Sequence, residues 1–333
     1  MTADTAVGSH PLYEPIARAV ANDEEMLALV LDAPPRGHFP LLLLAAVHYL
    51  VLGGLDHPLA AVYGGQSHAD PVPLFRDVCL SHREEITELL ARRHVQTNEV
   101  GRSALIGPAL AVAADRLGAP LALVDVGASA GLNLRCDRYL LDYGAHGRTG
   151  PADAPVRIAC EVVGGRPPIR DSLPPIVSAV GLDRSPVDLT NPDDARWLLA
   201  CVWPGTGRIP RTELAIAEAV ADPPLVVQGD AFDALPGAAR NLPAGAAVCV
   251  LTFYTFAYFP VERRPAFTEL LAELARDRPL VWLYSEGPSI GPAFGEPVDE
   301  CVLGLVFFDS GAPEPVFLAQ VQPHGDWLRW MAP

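Results

Sequence analysis

The spacing of hydrophobic and polar positions changes near residue 118. From Leu12 to Leu117 apolar residues recur at helical spacing, and little reads as strand. Ile16–Ala21 runs through Asn22-Asp23-Glu24-Glu25, a capping pattern, into Met26–Leu31. Phe39–Leu55 is apolar almost throughout and predicts a buried helix stopping at Gly53-Gly54. Asp70-Pro71 opens another, and Leu74–Arg93 keeps helical spacing with Arg83, Glu84, Glu85 and Glu88 on a solvated face. Ala104–Leu117 is the last helix before the pattern shifts.

Beyond it, short apolar runs alternate with helical stretches. Leu121–Val126 predicts a buried parallel strand, and a small-residue turn leads into a helix over Leu132–Tyr143. Val156–Val163 alternates like one strand of an inserted hairpin. Ile176–Leu182, Pro224–Val227, Ala247–Leu251 and Pro279–Tyr284 are further core strands. Asp193–Trp203, Thr212–Ala221 and Arg263–Arg276 are helices between them. Val302–Phe308 and Val316–Val321, joined by Asp309–Pro315, predict a terminal antiparallel pair. The expected fold is α/β: an all-helical domain over 1–118, then an open sheet domain over 119–333 with an insertion near 144–175.

Composition narrows the function classes. Half of the 333 residues are apolar, enough for a substantial core, and the formal charge of −16 argues against binding nucleic acid. The 34 prolines and 28 glycines gather in connectors such as Ala33–Pro40, Arg166–Pro175 and Glu286–Pro297, which read as rigid loops. Six scattered cysteines, with no Cys-x-x-Cys or His-Glu-x-x-His spacing, indicate neither a zinc site nor a disulfide framework, and no metal is expected. Met1–Pro11 carries no signal-peptide pattern, and Phe39–Leu55 is too short for a membrane span. A soluble, cytoplasmic protein with a small-molecule substrate is expected; its oligomeric state is not legible.

The chemistry centres on Asp125-Val-Gly127-Ala128-Ser129-Ala-Gly131. A residue without Cβ lets backbone approach a ligand, and the following helix start offers unpaired N–H groups. The letters fit two patterns. As Asp-x-Gly-x-Ser-x-Gly they resemble the first motif of class I S-adenosylmethionine (SAM)-dependent methyltransferases. As Gly-x-Ser-x-Gly they match a hydrolase nucleophile elbow, with Ser129, Asp230 and His324 in the order of a Ser…Asp…His triad. A hydrolase builds several strands before its elbow, whereas the residues preceding this strand look helical, so the methyltransferase plan is preferred.

That resemblance implies a Rossmann-like sheet and SAM contacts at Asp125, Gly127, Ala128, Ser129, Gly131 and Asn133. It implies a ribose-binding acid after the second strand at Asp183, beside Arg184, with Glu161 as its rival. Gly229-Asp230-Ala231 resembles the segment meeting adenine, and Thr252 opens the loop after the fourth strand. Ser129 replaces the pattern's middle glycine, tolerable if its φ stays negative. Asp125 and Asp183 lie 58 positions apart, about twice the usual strand–helix–strand span, and the insertion must fill the difference. The runs Gln96–Arg102 and Asp125–Leu134 are also similar to an uncharacterised bacterial family of unknown function, DUF2332, to which no reaction is attached.

Val95–Ser103 is unusually polar between two apolar helices. In one reading Thr97 or Asn98 caps the next helix while Glu99 and Arg102 pair with each other. In the other, Asn98 or Arg102 holds the SAM carboxylate and Glu99 faces the substrate, with Tyr254 and Tyr258 shaping the acceptor pocket. A helix of about 14 residues, about 21 Å long and antiparallel to the first strand, would bring residues 98–102 beside the glycine loop. The expected function is SAM-dependent methyl transfer to an unidentified small acceptor, with Glu99 and Tyr254 as catalytic candidates. SAM binding without catalysis, in a regulatory or structural protein, is the alternative. No Asn/Asp-Pro-Pro-Tyr follows the fourth strand, which argues against base or glutamine amino groups as acceptors.

Overall fold

The computed structural model describes residues 10–34, 40–288, 300–308 and 313–332; the expected connectors Ala33–Pro40, Glu286–Pro297 and Asp309–Pro315 lie largely outside them, as does most of Met1–Pro11. The chain forms two compact units, Met1–Thr97 with Asp188–Glu213, and Asn98–Val187 with Leu214–Pro333.

The first unit is helical: α1 (Tyr13–Val20), α2 (Glu24–Leu31), α3 (Pro40–Leu52), α4 (Pro58–Tyr63), α5 (Pro71–Ser81) and α6 (Arg83–Arg92). Asp23 caps α2, accepting from Glu25 N at 2.9 Å and Met26 N at 3.1 Å, and Asp70 caps α5. Leu42–His48 of α3 are all buried, as a helix apolar on every side requires. His48 meets the Ala200 carbonyl at 3.1 Å, and burial lowers its pKa to about 4, so the ring is neutral.

The second unit begins with α7 (Ser103–Leu117) and carries a nine-stranded, mostly parallel sheet. Its strands are β1 (Leu121–Val126), β5 (Glu161–Gly164), β6 (Ile176–Asp183), β7 (Val226–Gln228), β8 (Ala247–Phe253), β9 (Leu280–Glu286), β10 (Cys301–Phe308), β11 (Glu314–Val321) and β12 (Trp327–Trp330). A small sheet holds β2 (Leu140–Asp142), β3 (Arg148–Thr149) and β4 (Arg157–Ala159). Helices α8 (Pro192–Ala200) and α9 (Ile209–Ala221) separate β6 from β7, α10 (Ala231–Arg240) follows β7, and α11 (Arg264–Leu274) follows β8.

Strand order is β5-β12-β11-β10-β9-β8-β1-β6-β7. The block β7-β6-β1-β8-β9 is wholly parallel. Chain progression reverses between β1 and β8, the point where open α/β sheets leave a crevice at their carboxyl edge. Strands β10, β11 and β12 then run antiparallel in turn, so the expected terminal pair is part of a larger extension. Ala122, Val124 and Val126 of β1 pack with Trp282, Leu235, Phe267 and Leu271 into one core. The alternate residues Leu121, Leu123 and Asp125 therefore face the other side of the sheet.

Two expected elements differ. Leu132–Tyr143 is not one helix: 3₁₀ turns over Leu132–Arg138, interrupted at Arg135, lead directly into β2. The Tyr139 hydroxyl donates to the Leu132 carbonyl at 2.8 Å, and β2 pairs with β3 and β4, so sheet pairing overrides local periodicity. Val156–Val163 is not one strand of a hairpin. It divides at Cys160, whose N–H donates to the Asp142 carbonyl, while Glu161 N donates to the Asp326 carbonyl and starts β5 at the edge of the large sheet.

Candidate functional site

The glycine loop lies at the carboxyl end of β1, against β6. Gly127 and Ala128 both donate to the Leu182 carbonyl, at 2.7 and 3.2 Å. Gly127 has φ +83°, and an added Cβ would run into the Thr255 side chain, so glycine is required twice over. Ser129 has φ +55°, against the expectation that serine would stand here only with negative φ. Its N–H donates to Asp183 Oδ2 at 2.8 Å, which holds the backbone in this conformation. The Ser129 hydroxyl is buried and has no hydrogen-bond partner among the described residues. The amides expected to be free for a ligand are partly engaged, since Asn98 Oδ1 accepts from Leu132 N at 3.1 Å.

Asn98, Glu99 and Arg102 are buried and stand beside this loop, because α7 starts at the carboxyl edge of the sheet. Arg102 Nε donates to the Pro323 carbonyl at 3.1 Å and Nη1 to the Phe253 carbonyl at 3.3 Å, while the guanidinium stacks on Tyr254 at 4.6 Å. Among the described residues no carboxylate forms an ion pair with it. The expected pairing of Glu99 with Arg102 is absent: Glu99 instead accepts from Gly101 N at 2.9 Å and lies 3.5 Å from His324 Nδ1. Asn133 accepts from the Ser103 hydroxyl at 3.0 Å.

Two buried carboxyls stand in the field of Arg102. Burial and the charge of Asp183 push Asp125 up to about 7, with Arg102 opposing. Burial pushes Glu286, the last residue of β9, up to about 8, although its Oε1 accepts from Phe256 N at 2.9 Å and Thr255 N at 3.1 Å. Tyr254 has φ +57°, which breaks strand alternation and turns its ring onto Arg102. Glu286 and Ser285 were not among the sequence candidates. The signal was present, since Glu286 ends an apolar strand as Asp183 does and Asp125 nearly does.

The other candidates are placed as follows. Asp183 accepts from Ser129 N and, through Oδ1, from Ser185 N at 2.8 Å, tying β6 to the loop. Gly229 N donates to the Asp183 carbonyl, Asp230 caps α10 through Phe232 N and lies 3.6 Å from Arg263, and Ala231 is buried in the first turn. The Arg184 side chain is exposed. Thr252 is fully buried and accepts from Trp282 Nε1 at 2.9 Å, inside the core rather than at the crevice. Glu161 sits on the opposite edge strand, with five strands between it and β1 and so on the order of 30 Å away at the usual strand spacing; it does not rival Asp183. Ser129, Asp230 and His324 form no triad: among the described residues the serine hydroxyl has no partner, Asp230 faces Arg263 and His324 faces Glu99.

Two open clefts of about 250 and 450 Å³ lie near the start of β6, lined by residues such as Arg135, Ile176, Pro224 and Pro174, away from this cluster. Among the described residues no group of three or more His, Cys, Asp or Glu is disposed to hold a metal, and no helix is long and apolar enough to cross a membrane.

Residues 2–330 match the model of a family described as an uncharacterised protein conserved in bacteria, DUF2332, and the chain belongs to that family. No curated protein matches the sequence.

Proposed function

We propose that this DUF2332 member binds SAM at the carboxyl edge of β1, β6 and β8 and transfers its methyl group to a small acceptor. The observation that carries this reading is Arg102, a buried guanidinium held by two carbonyls and an aromatic face with no carboxylate paired to it, beside a glycine loop at the switch point. Among the described residues no carboxylate comes within ion-pair distance of the guanidinium, and an amino-acid carboxylate would engage it with bidentate geometry. The unpartnered Ser129 hydroxyl likewise calls for a partner. Resemblance to the methyltransferase motif supplies the identity of the ligand.

In this reading Arg102 holds the methionine carboxylate, and Gly127 gives the loop its left-handed turn against Thr255. Asp183 receives the ribose hydroxyls on the carboxylate lone pairs its two amide contacts leave over. Bound SAM supplies an electrophilic methyl group. Glu99, which lies beside His324, and Tyr254, which stacks on Arg102, are the catalytic candidates of this reading. Calorimetric titration with SAM and S-adenosylhomocysteine tests the reading. Micromolar binding of both supports it, and absence of heat and of any thermal shift at millimolar ligand removes it. Binding without transfer of labelled methyl to a cell extract would leave a SAM-binding protein with no transferase activity detected.

A further inference from the structure

Glu286 is the most deeply buried acid at the crevice. Its Oε1 accepts from the Thr255 and Phe256 amides at 3.1 and 2.9 Å, and the Ala257 amide also bears on the carboxyl. Three successive amides of one turn therefore fix its orientation. Among the described residues Oε2 makes no hydrogen bond of ordinary geometry, and no cation forms an ion pair with the carboxyl.

Arg102 and Glu286 share one wall of the crevice. The guanidinium donates to the Phe253 carbonyl at 3.3 Å and stacks on Tyr254, while the carboxyl takes up the amides that follow along the same segment. Thr255, inside that segment, stands against Gly127, where an added Cβ would meet its side chain. The carboxyl is thus set beside both the glycine loop and the guanidinium, whose charge acts on it. The other titratable groups around it are the Cys301 thiol at the start of β10 and, next to that thiol, the Tyr254 phenol; neither is a cation. Of the other acids at this edge, Asp183 serves the Ser129 and Ser185 amides and Glu99 faces His324. No hydrogen bond among the described residues aims the Asp125 carboxyl.

We propose that Arg102 and Glu286 together read an α-amino-acid zwitterion, the carboxylate on the guanidinium and the ammonium on Glu286 Oε2. This rests on the SAM reading and deepens it. A carboxylate and an ammonium carried on one α-carbon meet groups of opposite charge on one wall, so the crevice discriminates against adenosyl compounds that lack the amino group. Burial opposes ionisation of Glu286; the arriving ammonium supplies the counter-charge, and the proton held near neutral pH leaves to solvent.

The test is calorimetry at pH 8 with S-adenosylhomocysteine and its deaminated analogue, in which hydrogen replaces the amino group. Both are neutral thioethers with the same carboxylate. The parent protein should bind S-adenosylhomocysteine about tenfold tighter or more, the ratio for one charge-assisted hydrogen bond. Glu286→Gln, which keeps an oxygen for the amides, should remove most of that preference, and Asp125→Asn should leave it in place. Equal binding of the two ligands by the parent protein overturns the inference while leaving the SAM reading intact. A preference undiminished in Glu286→Gln makes the residue a cap of the 255–257 turn only, and a preference lost in Asp125→Asn moves the ammonium to Asp125; either overturns it. No binding of either ligand overturns the SAM reading and the inference with it. If Glu286→Gln does not fold, the parent protein's preference must grow from about pH 6 to pH 8 as the carboxyl ionises, and a constant preference overturns the inference.

Discussion

Ser129 and Tyr254 both occupy left-handed backbone without being glycine, at the ends of neighbouring strands. Such residues cost about 1 kcal/mol or more and gather where side chains must be aimed. Ser129→Gly therefore should not destabilise the fold, and should cost SAM no more than a neutral hydrogen bond, about 0.5–1.5 kcal/mol by calorimetry. Labelling of Ser129 by a serine-directed phosphonate would instead revive the hydrolase reading. Arg102→Ala should weaken SAM by about 1.5–3 kcal/mol, the range for charge-assisted hydrogen bonds, and adenosine much less. Because Arg102 also serves the Pro323 and Phe253 carbonyls, its loss should lower the Tm as well. The discriminating quantity is the difference between the two ligands; equal losses would make Arg102 purely structural. The buried acids give a pH signature. Glu286 rises from an ordinary 4.5 to about 8 on folding, and Asp125 from 3.8 to about 7. Between those values the folded chain holds protons that the unfolded chain has released, so their share of stability falls as pH rises through that window. Glu286→Gln should accordingly gain on the parent protein between pH 5 and 8, by at most a few kcal/mol at about 1.4 kcal/mol per pKa unit. Urea melts across that range check this, and a constant offset would refute it.

At the scale of elements, Asp183 joins β6 to the glycine loop with one oxygen for Ser129 N and the other for Ser185 N. Asp183→Asn can serve only one of these amides and turns an NH₂ toward the other. It should cost about 0.5–1.5 kcal/mol in a denaturant melt, the net worth of one lost hydrogen bond. The order of strands and helices was legible because buried parallel strands read as continuous apolar runs, and β1, β6, β8 and β9 all do. The placement of residues 98–102 beside the loop followed from helix length and antiparallel packing alone. Residues 132–143 were not legible, because their conformation depends on pairing between β2 and a strand more than a dozen residues away. Cys160 hands the chain from one sheet to the other, an event with no local signature. Thr252 was misread for a related reason: the motif gives its position after an apolar run, while only the partner Trp282 shows that it points into the core. Glu286 belongs to no motif; only the general rule that an acid closing an apolar strand lands at the carboxyl edge points to it.

At the scale of the whole molecule, the chain forms two compact units. Every residue assigned to the proposed crevice belongs to the unit formed by Asn98–Val187 and Leu214–Pro333. A ligand at one hundred times its Kd stabilises the state it binds by about 2.7 kcal/mol, so SAM should act on the unfolding of this unit first. The most direct measurement is hydrogen exchange followed by mass spectrometry, with and without saturating SAM. The account predicts slowed exchange in peptides covering residues 98–102, 127–133 and 253–256, with little change over the helices at 40–92. Unchanged exchange in all three segments at millimolar SAM would contradict it.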